Sequence, residues 1–323
     1  MDVKELCARI LAETGRIIIG KDEVVRLVVM AALADGHVLL DDLPGVGKTT
    51  LVKTLSIVLG LESRRIQFVS DLLPSDITGM SIYNQKSGDF ELRMGPVMTN
   101  ILMADEINRA IPRTQSALLE AMEERQVTID GQRFPLPEPF LVLATENPVE
   151  AESTFHLPAA QMDRFLISLS MGYPTHDDEV RMLETVGDHI PFDRIAPVTG
   201  RDEILEAQKA CRAVYMSKGV AGYIVDICEA TRRDERISMG ASPRAAKALY
   251  QTAKVAAAMA GRDYVTPDDV QSIIHPVLDH RILLESGARF SGLKVDAVLD
   301  ELISSVDASL DVKDLYGKEQ ARG

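Results

Sequence analysis

Short apolar segments alternate with amphipathic segments between residues 21 and 172. Each apolar segment is bounded by turn or charged residues and is apolar at successive positions. This pattern is typical of strands that are buried on both faces of a parallel sheet. Between them, Ala117, Leu118, Ala121 and Met122 form one stripe at helical spacing within residues 114–125. We therefore expect an α/β domain, a five-stranded parallel sheet with helices on both faces. Its strands would be residues 37–41 (HVLLD), 65–69 (RIQFV), 100–105 (NILMAD), 140–145 (FLVLAT) and 165–171 (FLISLSM).

Beyond Gly172 the strand pattern fades and helical periodicity takes over. Ser242 and Pro243 are suited to the N-cap and first position of a helix that ends near Gly261. Thr266-Pro267, followed by two aspartates, marks a second helix start. The predicted organisation is an α/β domain over residues 1–172, a linker over 173–200 and a smaller α-helical domain over 201–323.

Composition limits where the chain acts and what it binds. The longest apolar run has 8 residues, 27–34, whereas a membrane-spanning helix needs roughly 20. The N-terminus has no apolar signal segment, and the three cysteines form no CxxC pair, so we expect a cytoplasmic protein in a reducing compartment. The net charge is −14, and residues 1–200 alone carry 30 acidic and 18 basic side chains, a net −12. That imbalance argues against nucleic-acid binding, which depends on cationic contacts to phosphates.

A glycine-rich loop lies between the first predicted strand and a helical segment. Glycines let the backbone N–H groups wrap a phosphate chain, while a following Lys and Thr supply a cation and a Mg²⁺-binding hydroxyl. Asp42 stands where this GxxxxGK[ST] pattern has its first glycine, at the far end of the loop from the lysine, so we expect it to be tolerated. The predicted phosphate-binding residues are Pro44, Gly45, Val46, Gly47, Lys48, Thr49 and Thr50.

Two adjacent carboxylates, Asp105 and Glu106, end the third predicted strand. The first could hold Mg²⁺, and the second could orient and deprotonate a water molecule that attacks a phosphate. Acids at strand ends are often only solvated turn residues. Here the two acids lie about 57 residues after a phosphate-binding loop, and this combination favours the hydrolytic interpretation.

Three further polar residues are ambiguous from local sequence. Asn147 ends the fourth predicted strand and could hold a water molecule near the phosphates, or could simply start a turn with Pro148. Arg164 has the character of an ordinary surface arginine. Arg244, in the first turn of a predicted helix, opposes the helix dipole unless an anion lies there, which weakly indicates phosphate contact.

Taken together, these motifs resemble the MoxR family of AAA+ ATPases. The resemblance covers about residues 17–285, and it depends on the order of the motifs more than on any single one. Those motifs are the phosphate loop, DLLPSDITG, LMADEINRA, TQSALLEAMEERQVTIDG, LATENP, LPAAQMDRF and GASPRA. The resemblance implies an AAA+ P-loop core followed by a helical lid.

The resemblance also implies residue roles. Lys48 and Thr49 would form the Walker A pair and Asp105 and Glu106 the Walker B pair. Asn147 would match sensor 1, Arg164 the arginine finger and Arg244 sensor 2. Ile18, Ile19 and Gly20 match the segment that lines the adenine pocket, and residues 126–134 match the family's inserted β-hairpin, where Asp130-Gly131 is itself a turn signal.

Two departures from the family pattern lie outside the phosphate chemistry. Val69-Ser70 replaces the usual Thr-Pro before DLLPSDITG, and Ala159 replaces an acid in LPEAQ. We expect these departures to affect subunit contacts or client choice.

The family resemblance implies a ring, expected to be a hexamer, that binds ATP and Mg²⁺. It further implies a von Willebrand factor A-domain partner and chaperone-like remodelling or activation of a protein client. Two other interpretations remain open at this point: an ATP-gated assembly scaffold with little turnover, and a small-molecule kinase. The kinase does not account for the helical lid or for the two arginines.

Overall fold

The computed structural model describes residues 1–41, 45–146, 154–186 and 190–308. Contacts divide the chain into two compact units. The first contains Ala8–Phe165 and Leu169–Leu205 and carries the strand-rich part of the chain. The second contains Met1–Cys7, Leu166–Ser168 and Glu206–Gly323 and is mostly helical. The domain boundaries derived from the sequence stay a prediction.

The strands, in chain order, are β1 (Val38–Asp41), β2 (Ser63–Gln67), β3 (Gly79–Asn84), β4 (Asp89–Met94), β5 (Ile101–Asp105), β6 (Gln126–Ile129), β7 (Gln132–Pro135), β8 (Leu141–Glu146), β9 (Ile167–Leu169), β10 (Ile237–Met239) and β11 (Leu283–Leu284). The α-helices are α1 (Val3–Thr14), α2 (Asp22–Leu33), α3 (Lys48–Val58), α4 (Pro74–Thr78), α5 (Pro112–Glu124), α6 (Ala159–Met162), α7 (His176–Val186), α8 (Arg201–Ala213), α9 (Lys218–Arg233), α10 (Pro243–Met259), α11 (Pro267–Gln271), α12 (Ile274–Leu278), α13 (Ser286–Phe290) and α14 (Val295–Ser305).

The central sheet has five strands in the order β2-β5-β8-β1-β9. The pairs β2–β5, β5–β8 and β8–β1 are parallel. β5 and β8 lie inside the sheet and are buried over almost their whole length, as their unbroken apolar runs predict. The edge strand β2 has a polar sequence, SRRIQ, with exposed arginines. The five predicted strands are confirmed, with ends that differ by at most two residues.

Helix α5 packs into the core of the first unit through the predicted apolar stripe. Leu118, Ala121 and Met122 are buried in one cluster with Phe68 and Phe165. Leu119 is buried as well, whereas Ala117 of the predicted stripe is only partly buried. The buried face of α5 is therefore shifted slightly from the predicted stripe.

The described part of the first unit also contains two β-hairpins, and only one of them was predicted. β6 and β7 pair in antiparallel register, and Asp130 and Gly131 between them both have positive φ (50° and 79°), as a tight hairpin turn requires. β3 and β4 form the second hairpin. Its side chains are largely exposed on both faces, so it lacks the buried, apolar pattern that revealed the other strands.

The predicted helix starts of the second unit are confirmed. Ser242 caps α10 by accepting a hydrogen bond from the Ala245 backbone N–H at 3.1 Å. Thr266 and Asp269 form a reciprocal capping box at the start of α11. The small antiparallel pair β10–β11 interrupts the otherwise helical unit and was not predicted.

Residues 173–200, expected to be a linker, contain helix α7. No helix of the described residues has both the length and the apolar character needed to cross a membrane. Cys7, Cys211 and Cys228 are buried free thiols.

His37 is buried at the start of β1 and is held as a neutral ring. Its Nδ1 accepts a hydrogen bond from the Val142 N–H at 3.0 Å, and its Nε2 lies 3.3 Å from the Met122 carbonyl oxygen. Burial, with a smaller contribution from the charge of Arg125, lowers the pKa of His37 from 6.5 to about 3. The ring therefore joins β1, β8 and α5 only in its uncharged form.

This arrangement predicts a loss of stability in mild acid. The unfolded chain binds a proton at His37 below pH 6.5, whereas the folded chain does not until about pH 3. The contribution of His37 to the free energy of unfolding is complete above pH 6.5 and should fall by about 2 kcal/mol at pH 5. Urea unfolding at pH 7 and pH 5 should show this pH-dependent loss in the wild type and in His176→Gln, a control with an exposed imidazole. The loss should shrink in His37→Gln, and an equal loss in all three proteins would contradict the assignment.

Candidate active site

The carboxyl ends of β2, β5 and β8 bring together polar side chains that are about 40 residues apart in sequence. Asp105 ends β5, and the parallel register places it opposite Gln67 of β2. Glu106 follows directly, with the positive φ of 56° that turns the chain out of the sheet. Thr145 lies one residue before the end of β8. The two predicted carboxylates are therefore adjacent at the edge of the sheet where ligands of parallel α/β folds bind.

The fully buried hydroxyl of Thr145 fixes both acidic residues. It donates a hydrogen bond to Asp105 Oδ1 at 2.7 Å and accepts one from the Glu106 backbone N–H at 2.8 Å. One side chain thus satisfies a buried carboxylate and a backbone donor at the turn.

The carboxylate of Glu106 is held through one oxygen. Its Oε2 accepts a hydrogen bond from Gln67 Nε2 at 2.7 Å and lies 3.2 Å from an Arg109 guanidinium nitrogen. Within the described residues, Oε1 has no hydrogen-bond partner, and the side chain is partly exposed. The side chain is therefore oriented yet retains one oxygen that can accept a proton.

Asp105 is engaged through both oxygens. Besides the bond from Thr145 to Oδ1, Arg65 pairs with Oδ2 at 2.6 Å. The Asp105 side chain is 14% exposed and that of Arg65 is 50% exposed, so the arginine covers the aspartate from the solvent side.

The glycine-rich loop leads into α3 with the geometry of a phosphate cradle. Gly45 and Gly47 have positive φ (86° and 94°), and a Cβ atom on either would meet no atom within 4 Å, so the space beside them is open. α3 begins at Lys48, and the N–H groups of a helix's first turn point toward the segment that precedes it, which here is the loop. Pro44 and Asp42 lie outside the described residues.

A cavity of about 250 Å³ adjoins this loop. Four of the predicted loop residues line it: Gly45, Val46, Gly47 and Thr50. Ile18 and Ile19, which the family resemblance assigns to the adenine pocket, also line the cavity. Residues that the sequence did not suggest complete the wall: Ile17, Lys21, Met171, Tyr173, Pro174, Glu179 and Met182.

The segment that carries Ile18 and Ile19 is fastened at its end. Gly20 has φ 69°, and a Cβ atom there would lie 2.3 Å from Asp178 Oδ2, so only glycine fits against α7. Lys21 Nζ donates hydrogen bonds to the carbonyl oxygens of Met171 and Tyr173, the latter at 2.9 Å. These contacts close the apolar end of the cavity.

Glu146, the last residue of β8, is a further, partly buried acid next to β1, the strand that leads into the loop. Burial first, and then the negative charge of Asp41 on the neighbouring strand, raise its pKa to about 7. Its carboxyl group also accepts a hydrogen bond from the Leu157 backbone. Asn147, the next residue, lies outside the described residues.

The two predicted arginines lie in different units of the chain. Arg164 follows α6, and its Nη2 lies 3.1 Å from Glu123 Oε2 on α5. Arg164 is not among the described residues that line the cavity of its own unit. Arg244 lies in the first turn of α10 in the second unit. Lys48 and Thr49 stand together at the start of α3, next to this wall.

Comparison with known proteins identifies the family. A model of the ATPase family associated with various cellular activities (AAA) matches residues 37–167, and one of the AAA lid domain matches residues 229–302. The chain is 40% identical over 307 residues to the chaperone MoxR1 of Mycobacterium tuberculosis, covering 92% of this chain and 81% of that protein. The chain belongs to the MoxR family of AAA+ ATPases.

Two further relatives are similar over nearly their whole length. The chain is 45% identical over 305 residues to the uncharacterized protein YeaC of Bacillus subtilis, covering 94% of this chain and 95% of that protein. The crystal structure of a predicted ATPase from Cytophaga hutchinsonii is similar with a TM-score of 0.89 and 35% identity, covering 95% of this chain and 96% of that one. The AAA+ core with a helical lid, expected from the motifs, is confirmed.

Sequence reasoning missed the residues that support the MoxR-type motifs. Gln67 and Thr145 were visible only as polar residues near strand ends, a weak signal that gains meaning once the strand order is known. Arg65, Lys21 and Glu123 carried no such signal, because their partners are distant in sequence.

The bridging hydroxyl gives a direct test of this site. Thr145→Val keeps the side-chain shape but leaves Asp105 Oδ1 and the Glu106 N–H without their shared partner. We expect the free energy of unfolding to fall by about 1–3 kcal/mol, as for other buried polar groups left unpaired. Thr145→Ser, which keeps the hydroxyl, should retain more of the stability. Urea unfolding of the three proteins measures the difference, and a Val variant as stable as the wild type would refute the bridging role.

Proposed function

We propose that this MoxR-family chain hydrolyses ATP at the interfaces between subunits of a ring, and that hydrolysis drives remodelling or activation of a protein client. The observation that carries the proposal is the oriented Glu106 carboxylate. Glu106 lies beside Asp105 at the carboxyl end of the parallel sheet, the same end at which β1 leads into the glycine-rich loop. One oxygen of its carboxylate has no hydrogen bond among the described residues.

The cavity and the loop fit ATP. The isoleucines and methionines around the cavity suit a flat, apolar base, and the open space beside Gly45 and Gly47 suits a phosphate chain. Lys48 would contact the terminal phosphates, and the N–H groups at the start of α3 would bind their oxygens.

The residues also fit Mg²⁺, which prefers oxygen ligands and keeps several of its waters. Thr49 would hold the ion through its hydroxyl, and Asp105 would hold it through the ion's water shell. When bound, Mg²⁺ supplies positive charge that offsets the negative charge of the phosphates.

Glu106 would accept the proton of the attacking water through Oε1, while Gln67 and Arg109 hold Oε2. Asn147 would position that water. Arg164 would reach the phosphate chain bound by a neighbouring subunit, and Arg244 would contact the phosphates from the lid. An arginine supplied by a second subunit makes hydrolysis depend on assembly.

The relatives support the remainder of the proposal at the level of the family. MoxR1 is named a chaperone, which supports a protein client. A hexamer, a von Willebrand factor A-domain partner and a cytoplasmic location remain parts of the proposal. The three buried free thiols are consistent with a reducing compartment.

Replacing the proposed general base separates turnover from binding. Glu106→Gln should lower the ATPase rate by about 100-fold or more, since general bases contribute about 10²- to 10⁴-fold. Its affinity for ATP, measured by calorimetry, should stay close to that of the wild type.

Glu5→Gln on α1 removes an exposed carboxylate outside the site and serves as the matched control. Wild-type turnover in Glu106→Gln would show that Glu106 is not the base. Client activation that persists undiminished in this variant would instead favour an ATP-gated scaffold.

A further inference from the structure

Arg164 is restrained within its own subunit at one end of its guanidinium group. Nη2 lies 3.1 Å from Glu123 Oε2, and the two side chains are 30% and 39% exposed. Nε is buried without a hydrogen-bond partner in the described residues. Nη1 has no partner there either, and it is not buried. One N–H group is thus paired while another stays available at the surface.

Glu123 is well placed to act as a fixed anchor. It lies in the last turn of α5, next to the buried Met122, so its backbone is held by the core of the domain. The helix ends at Arg125, whose guanidinium donates a hydrogen bond to the Phe140 carbonyl at 2.6 Å. The end of α5 is therefore tied to the start of β8.

The backbone of Arg164 is also held. Its N–H donates a hydrogen bond to the Gln161 carbonyl at 3.1 Å, and the next residue, Phe165, is completely buried in the core cluster. The freedom that remains is that of the long side chain, which has many rotamers. A carboxylate paired with Nη2 removes part of that freedom.

We propose that Glu123 is a positioning residue that orients Arg164, so that the free Nη1 faces the phosphate chain bound by the neighbouring subunit. This inference rests on the proposed role of Arg164 as an arginine finger. The ion pair is partly exposed and hence weak. It orients the side chain without competing strongly against phosphate oxygens.

The size of the effect follows from that weakness. An arginine finger contributes about 10³- to 10⁵-fold to the hydrolysis rate. Losing the orientation of the arginine, but not the arginine itself, should remove only a small part of this factor. We expect kcat to fall roughly 2- to 5-fold, the range that corresponds to a partly exposed ion pair. The KM for ATP should not change, because Glu123 belongs to the subunit that donates the arginine.

A mixed-ring experiment isolates the donated arginine. Donor subunits carry Glu106→Gln and cannot hydrolyse their own ATP, but they keep Arg164. Acceptor subunits carry Arg164→Ala and keep Glu106. Hydrolysis then requires an acceptor site completed by a donor arginine, and Glu123 is varied in the donor alone.

Donors with Glu123→Ala should lower kcat of the mixture roughly 2- to 5-fold at unchanged KM, and Glu123→Asp or Glu123→Gln should restore part of it. Glu120→Ala, which removes an exposed carboxylate one turn earlier on α5, should match the unmodified donor. Size-exclusion chromatography and thermal unfolding of each donor establish that it folds and assembles. If the Glu123→Ala donor does not fold, the Glu123→Gln donor is compared with the unmodified donor instead.

The possible outcomes distinguish the positioning role of Glu123 from the arginine-finger role of Arg164. An active mixture that is insensitive to every Glu123 substitution would overturn the positioning role, as would a faster rate with Glu123→Ala. A mixture no more active than its two components would overturn the arginine-finger role itself, and the inference about Glu123 with it.

Discussion

The parallel pairing of β2, β5 and β8 is the constraint on which the site depends. Because the three strands run in one direction, their carboxyl ends meet, and Thr145 reaches both Asp105 and the backbone of Glu106. Any shift of the β5–β8 register by one residue would turn Thr145 to the other face of the sheet and break both contacts. The hydrophobic burial of these strands therefore determines the position of the acids as well as the fold.

Charge at this edge of the sheet is balanced by local pairing. Arg65 pairs with Asp105 and Arg109 lies against Glu106, whereas Glu146 is partly buried near Asp41, and its pKa is raised to about 7. A protein of net charge −14 thus places cations beside the two acids at the carboxyl end of β5. The anionic phosphates of a nucleotide would meet Lys48 and helix N–H groups on the other side of the same edge.

The five strands, the β6–β7 hairpin and the helix starts at Ser242 and Thr266 could be predicted, because each depends on residues close together in sequence. The Walker-type motifs were visible for the same reason. The contacts of Gln67 with Glu106 and of Thr145 with Asp105 join residues 39 and 40 positions apart, and no local pattern marks such pairs. The β3–β4 hairpin escaped prediction because it buries little, so burial leaves no clear signature in its sequence.

The central claim is that hydrolysis occurs at a site completed by a second subunit. ATPase activity per subunit, measured across a protein dilution series with size-exclusion chromatography at each concentration, tests it most directly in the wild type and in Arg164→Ala. The account predicts that wild-type specific activity rises with concentration as the ring assembles, and that Arg164→Ala assembles yet stays nearly inactive. A specific activity that is independent of concentration and survives the substitution would place the whole active site within one chain and contradict the account.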